Sequence, residues 1–237
     1  MVIGFNTGFI NHKLKIPLKE ILTLYSTIGS DAIEINFHSY EELVNFELDE
    51  ELINLLSKFS YVSFHAPSKD IIYGDNEKTK KIKEKIDNIK EKINLKAVVI
   101  HPSSVDDFSV FDNNLFLIEN MDKFHEKFIK PEKFSELKEK NNVGFVLDLQ
   151  HVYEHGSSMS MAREFLGFLG ESIKEMHVSG MTKDLKHSLV HCSDNKEAIS
   201  SILKLGLDIP IILEGCVQEP FEENAKKELE YIRSLVS

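Results

Sequence analysis

Eight short apolar runs recur along this chain, and most of them stop at an acid or an imidazole. The run Val143-Gly144-Phe145-Val146-Leu147 shows the design: continuous, β-branched and aromatic, it ends at Asp148, with His151 three residues further on. A run of this length and composition reads as a strand buried on both faces. Similar runs span residues 2–6, 32–37, 61–65, 97–101, 115–119, 173–178 and 209–214.

Helical patterns lie between most of these runs. Leu18, Ile21, Leu22, Tyr25 and Ile28 recur at helical spacing after Pro17, which suits a first-turn position, and Gly29 ends the series. Ile82, Ile86, Ile89 and Ile93 form one apolar stripe on a segment whose other faces are mostly Lys and Glu, a solvated outer face. Further helices are predicted over residues 49–58, 131–139, 160–169, 195–205 and 221–235. Eight strands alternating with helices define an α/β chain and point to a (β/α)8 TIM barrel of near-minimal length. The segment PSSVDDFSVFDNN, between His101 and Leu115, has room for one turn of helix, so the helix between strands 4 and 5 is predicted to be reduced. A doubly wound open sheet is the alternative, but the GxGxxG fingerprint and the P-loop are both absent.

At 237 residues and 42% hydrophobic, with no Pro-, Gly- or Ser-rich linker, residues 1–237 are expected to form one domain. The apolar runs are too short to span a membrane, and Met1 leads directly into VIGF without a basic and apolar leader. A cytoplasmic protein with no membrane partner is therefore expected. Cys192 and Cys216 are too few for a disulfide framework or a thiolate zinc site and are read as reduced thiols. The formal net charge is −11, and Arg163 and Arg233 are the only arginines. That balance argues against a surface that grips nucleic acid unaided, although bound divalent ions would reverse the sign locally. The oligomeric state stays open.

Barrel enzymes carry their chemistry at the C-terminal ends of the strands. Along that edge stand Glu34, His65, His101, Glu119, Asp148, His177 and Glu214, one from each of seven strands. So many acids in a dry barrel mouth would repel one another unless divalent cations lay among them. Carboxylates and neutral imidazoles are also the usual ligands of zinc, manganese, cobalt or iron. Any one of these residues alone is more often an ordinary hydrogen-bonded side chain than a ligand. Their joint placement is what carries the argument. Glu34 is the exception, since it precedes Ile35 and Asn36 and can serve simply to orient a neighbour. His12, His38, His125 and His155 are expected at the surface. The segment SGMTKDLKHSLVHCSDN is a candidate lid, from which His187 or His191 could reach the cleft with Asp184 as companion, or else a polar mobile loop.

Through SFHAP, VIHPSS, LIENM, LDLQHVYEHG, EMHVSG and IILEG the chain resembles the xylose isomerase-like TIM barrels. These include sugar isomerases and epimerases and the endonuclease IV-type apurinic endonucleases. The resemblance implies a metal set of Glu119, Asp148, His177 and Glu214, as in the sugar enzymes. It also implies that His65 and His101 match histidines that bind a second metal in the endonucleases, shared through the Glu119 position. His151 matches one ligand of their third metal, whose other ligands come from an Asp-x-His motif. Here that motif reads Leu185-Lys186-His187: His187 corresponds, but the aspartate is missing and Asp184 falls one residue early. The tyrosine that follows HAP in the endonucleases is Ser68 in this chain.

The implied cofactor is a divalent metal (Zn, Mn or Co), one to three ions. Two activities follow as expectations. In a sugar or sugar-phosphate isomerase or epimerase, the small-molecule sugar substrate would lose and regain a carbon-bound proton through Glu119 and Glu214, with His151 orienting a substrate oxygen or steadying the enediolate. In the alternative, an endonuclease IV-like phosphodiesterase would act on DNA at abasic sites. A barrel that binds a ligand without turnover is the third class, and so complete a ligand set argues against it.

Overall fold

Each of the eight apolar runs forms a strand in the computed structural model, which describes residues 1–111, 113–125, 128 and 130–236. These strands are β1 (Ile3–Asn6), β2 (Ala32–Asn36), β3 (Tyr61–His65), β4 (Leu95–Ile100), β5 (Phe116–Glu119), β6 (Gly144–Asp148), β7 (Ile173–Val178) and β10 (Ile211–Leu213). They pair in parallel in chain order, and β10 pairs back onto β1 with Ile3 opposite Ile211, closing the (β/α)8 barrel. Two short strands, β8 (Gly180–Met181) and β9 (Lys186–Ser188), form a separate antiparallel hairpin.

Period-two alternation sorts each strand into an inward and an outward set. Ala97, Val99, Leu117 and Val146 pack with Tyr61 in a small cluster of their own inside the barrel. The outward set, Phe116, Ile118, Phe145 and Leu147 among it, joins the larger core between sheet and helices. His101, Glu119 and Asp148 stand two residues beyond Val99, Leu117 and Val146, so the same alternation turns them inward at the barrel mouth. Gly4 is obligatory at the β1–β2 contact, because a Cβ there would lie 1.8 Å from the carbonyl oxygen of Ala32.

The outer layer comprises α1 (Leu18–Thr27), α2 (Tyr40–Val44), α3 (Glu50–Leu56), α4 (Glu77–Lys90), α5 (Pro131–Lys140), α6 (Leu149–His155), α7 (Ser160–Leu169), α8 (Lys196–Leu203) and α9 (Phe221–Val236). Asn76 caps α4 through the Thr79 N–H, and Ile82, Ile86 and Ile89 are buried along one face. Burial of each contributes about 1.5–3 kcal/mol. Ile93, assigned to the same stripe by its spacing, lies beyond the helix end and is only partly buried. Pro17 occupies the N-cap position just outside α1, without a side-chain capping bond, and Gly29 follows its end with φ of 80°.

Two helices are absent from the sequence reading. Five-residue α2 is capped by Ser39, whose hydroxyl accepts the Glu42 N–H. Helix α6 begins at the residue after β6 ends, so the strand pattern conceals its start. Between β4 and β5 the described residues form two 3-10 turns, Pro102–Ser104 and Phe108–Val110. Both cysteines are free. Among the described residues no helix is long and apolar enough to cross a membrane.

Candidate metal centre

Parallel register brings the strand-end residues side by side. His177 lies opposite Asp148 across β6–β7, and Glu34 lies opposite Asn6 across β1–β2. Glu214 follows β10, its N–H bonded to the Val178 carbonyl at 3.0 Å. Asn120 stitches the ends of β5 and β6 together: its side-chain carbonyl accepts the Asp148 N–H at 2.7 Å and its amide donates to the Asp148 carbonyl at 3.1 Å.

The result is a convergence on Glu119. Donor atoms of Glu119, Asp148, His177 and Glu214 all lie within 4.8 Å of one another. His177 Nδ1 is 3.4 Å from Glu119 Oε1 and 3.4 Å from Glu214 Oε1. On the other side of the same carboxylate, Glu119 Oε2 lies 3.3 Å from His65 Nε2 and 3.0 Å from His101 Nε2, and the two Nε2 atoms are 3.2 Å apart. Tetrahedral ligands at the usual zinc–nitrogen length of ~2.0 Å are separated by about 3.3 Å, so this triangle has the dimensions of a ligand set.

His151 is nearly buried, with Nδ1 2.8 Å from the Asn120 backbone carbonyl oxygen. That bond makes Nδ1 the donor and leaves the Nε2 lone pair free in the neutral ring. Its Nδ1 is also 3.5 Å from Glu119 Oε1. His187 borders the same cleft on β9, its ring centroid 6.3 Å from that of His151 and its Nδ1 3.0 Å from the Ser179 hydroxyl. The predicted lid segment is thus the hairpin plus a 3-10 turn, Val190–Cys192. Lys186 fastens the hairpin to α6 through Glu154 at 2.9 Å and lies 4.2 Å above the Phe124 ring. A Cβ on Gly180 would come within 2.5 Å of the Ser193 Cβ, so the close approach of β8 to Ser193 requires glycine. His191 turns away to Glu228 at 2.7 Å, and Asp184 is exposed.

Of the histidines expected at the surface, His38 is exposed but borders the cleft with Lys69. His12 is half-buried and packs on His38 with ring centroids 3.6 Å apart. His125 and His155 are also half-buried, paired with Asp122 and the Met121 carbonyl respectively.

The strand edge also contains two functional candidates that the sequence reading passed over. Asn6 ends the one strand without an ionisable residue at its exit, yet its amide bonds Glu34 at 2.5 Å and Glu214 at 3.2 Å. Glu175, two residues before His177 and therefore on the same face of β7, bonds His177 Nε2 at 2.9 Å. The (i, i+2) pairing of an acid with a histidine was the available signal.

Burial and charge pull these groups in opposite directions. Burial alone would lower the pKa values of His65 and His151, but the surrounding carboxylates outweigh it and push each up to about 9. Burial, reinforced by neighbouring acids, pushes Glu214 up to about 8. For Glu119 the adjacent imidazoles overcome burial and hold the carboxyl well below its ordinary value. Burial depresses His101 and His187.

The donor chemistry fits a divalent cation. Asp148 Oδ2 and His177 Nδ1 are buried within the quartet and have no hydrogen-bond partner. Leaving such atoms unsatisfied costs about 1–3 kcal/mol each, and coordination would remove that cost. Glu119, Asp148, His177 and Glu214 could hold one ion, and His65 and His101 with Glu119 a second.

No family model and no curated protein matches this sequence. Solved structures match its fold over the full length. A D-tagatose 3-epimerase-like protein shares 19% identity at a TM-score of 0.69, covering 100% of this chain and 98% of its own. Endonuclease IV from Thermus thermophilus shares 16% at 0.71, covering 100% and 99%. D-Psicose 3-epimerase from Clostridium cellulolyticum, solved with D-tagatose, shares 13% at 0.70, covering 100% of both chains. The fold is therefore the (β/α)8 barrel that these structures share.

Proposed function

We propose that this protein is a divalent-metal-dependent isomerase or epimerase of a sugar or sugar phosphate. The observation that carries this reading is the pair Glu119 and Glu214, each 3.4 Å from His177 Nδ1 at the floor of a cleft of about 240 Å³. The environment drives their proton affinities apart, Glu214 upward and Glu119 downward. Two titratable groups separated in this way suit an acid and a base. The cleft is smaller than most ligand pockets (about 300–1,000 Å³) and suits a compact substrate better than a polymer.

Bound to the quartet, one ion would supply Lewis acidity to neighbouring substrate oxygens, and a second beside His65 and His101 would add the clamp used in phosphodiester hydrolysis. The chain's own residues then divide the work. One of Glu119 and Glu214 takes the proton from the carbon beside the substrate carbonyl, leaving an enediolate, and the other returns a proton. His151, held through Nδ1 by the Asn120 carbonyl, presents Nε2 to a substrate oxygen. Asn6 keeps Glu214 aligned. The structural likeness to a D-tagatose 3-epimerase-like protein and to D-psicose 3-epimerase supports the reading. Ketoses and their phosphates incubated in D2O with manganese or cobalt should gain deuterium at the carbon next to the carbonyl. Absence of exchange across the panel by metal-loaded protein would rule this out.

The compact triangle of His65, His101 and Glu119 favours a second reading, metal-dependent phosphodiester cleavage at abasic sites in DNA. The likeness to endonuclease IV supports it. The net charge of −11 and the two arginines weigh against it. A duplex carrying one abasic site discriminates: cleavage with bound metal near two equivalents would favour hydrolysis.

A further inference from the structure

Barrel interiors are ordinarily filled by branched apolar side chains. Here two carboxylates, Glu34 and Glu175, have no solvent exposure. A buried acid is costly unless a specific partner offsets the loss of water. Both acids converge on one atom. Glu175 Oε1 is 2.9 Å and Glu34 Oε2 3.4 Å from Nε2 of His177. The opposite ring nitrogen, Nδ1, faces the quartet and has no hydrogen-bond partner. Glu34 is itself held in place: Asn6 bonds its Oε1 and the Ser63 hydroxyl lies 3.5 Å from its Oε2. Strand pairing across β6–β7 sets the Glu175 backbone opposite Val146.

We infer that Glu175, assisted by Glu34, is a positioning residue of the metal centre, which holds the Nε2–H of His177 from behind and so presents the Nδ1 lone pair to the cation. The inference rests on reading the quartet as a metal site. A neutral imidazole carries its proton on one nitrogen, and the acceptor it meets decides which. With a carboxylate 2.9 Å behind Nε2, the proton stays there and Nδ1 is the ligand. Remove that acceptor and the ring loses both its preferred tautomer and its fixed orientation. Neither acid needs to touch substrate to have this effect.

Zinc affinity of the full-length protein, measured by competition with a chromophoric chelator, tests the inference. Glu175→Leu should weaken binding about 10–100-fold. Glu175→Gln, whose amide oxygen still accepts the Nε2–H, should recover most of the loss. Circular dichroism and melting establish that both variants fold. If Glu175→Leu fails to fold, long-range 1H–15N spectra of the zinc-loaded wild type decide, with a protonated Nε2 and a coordinated Nδ1 on His177 expected. Unchanged affinity in folded Glu175→Leu, or coordination through Nε2, would overturn the inference and leave the metal site standing. A wild type that binds no zinc would remove both.

Discussion

Asp148 and His151 are tied through one oxygen: Asp148 Oδ1 accepts the His151 backbone N–H at 2.6 Å and lies 3.9 Å from the His151 ring nitrogen Nδ1. The first contact caps α6; the second places an imidazole beside the acid. Because Oδ1 is occupied by the helix, Oδ2 is the atom left without a partner and able to coordinate a cation.

Capping and coordination can therefore be separated by mutation. Asparagine caps a helix about as well as aspartate, so Asp148→Asn should change stability by less than about 0.5 kcal/mol, whereas Asp148→Ala should cost about 1 kcal/mol. Both should weaken zinc binding about tenfold or more. Chemical denaturation and metal titration check the two effects separately. Wild-type zinc affinity in Asp148→Asn would remove this carboxylate from the centre.

The metal-free protein should lose stability as pH rises from 7 to 9. His65 and His151 titrate at about 9 when folded against 6.5 as free groups, and Glu214 at about 8 against 4.5. Over that window the native state holds protons that the unfolded chain has released, so the stabilisation fades as pH passes 8 and then 9. The depressed Glu34, Glu119, His101 and His187 act in the opposite sense, as pH falls. Metal must displace the same protons, so zinc affinity should climb across this interval. Urea midpoints at pH 7 and pH 9, with and without zinc, measure both trends. A flat or rising metal-free curve contradicts the assignment.

Replacing His65 and His101 together by alanine should remove at most one metal equivalent. On the isomerase reading, deuterium exchange into the sugar survives this change. On the phosphodiesterase reading, cleavage at an abasic site is abolished. Elemental analysis beside the two assays distinguishes them.

Lys186→Met should loosen the hairpin. It removes the contact to nearly buried Glu154 and the cation above Phe124, together worth about 1 kcal/mol at a half-exposed site. Amide exchange in residues 180–188 should quicken several-fold, with the barrel strands unaffected. Unchanged protection there would assign the ordering of the hairpin to other contacts, such as the 2.6 Å bond from Cys216 N–H to the His187 carbonyl.

All eight barrel strands were legible in the sequence because strands buried on both faces show up as continuous apolar runs. The candidate site residues could be picked out because a polar side chain ending such a run stands out. Asn6 escaped notice because it carries no charge. Glu175 escaped because it lies inside a strand, where an acid reads as an outward-facing residue until register shows it inward. Helix α2 was too short for periodicity to reveal, and α6 was hidden because it starts directly after β6; their starts depend on the Ser39 and Asp148 caps. His191 and Asp184 could not be told from His187 by spacing, because the β8–β9 turn decides which of them faces the cleft.

The seam between β1 and β10 sets a timetable. Glu214 sits just past the final strand of the barrel, and Asn6, which steadies it, ends the first. On a ribosome the other three donors of the quartet emerge while their fourth is still unmade. On the metal-site reading, a cation arriving during synthesis would meet a partial nest with weak retention, and firm capture would wait for the last strand to dock.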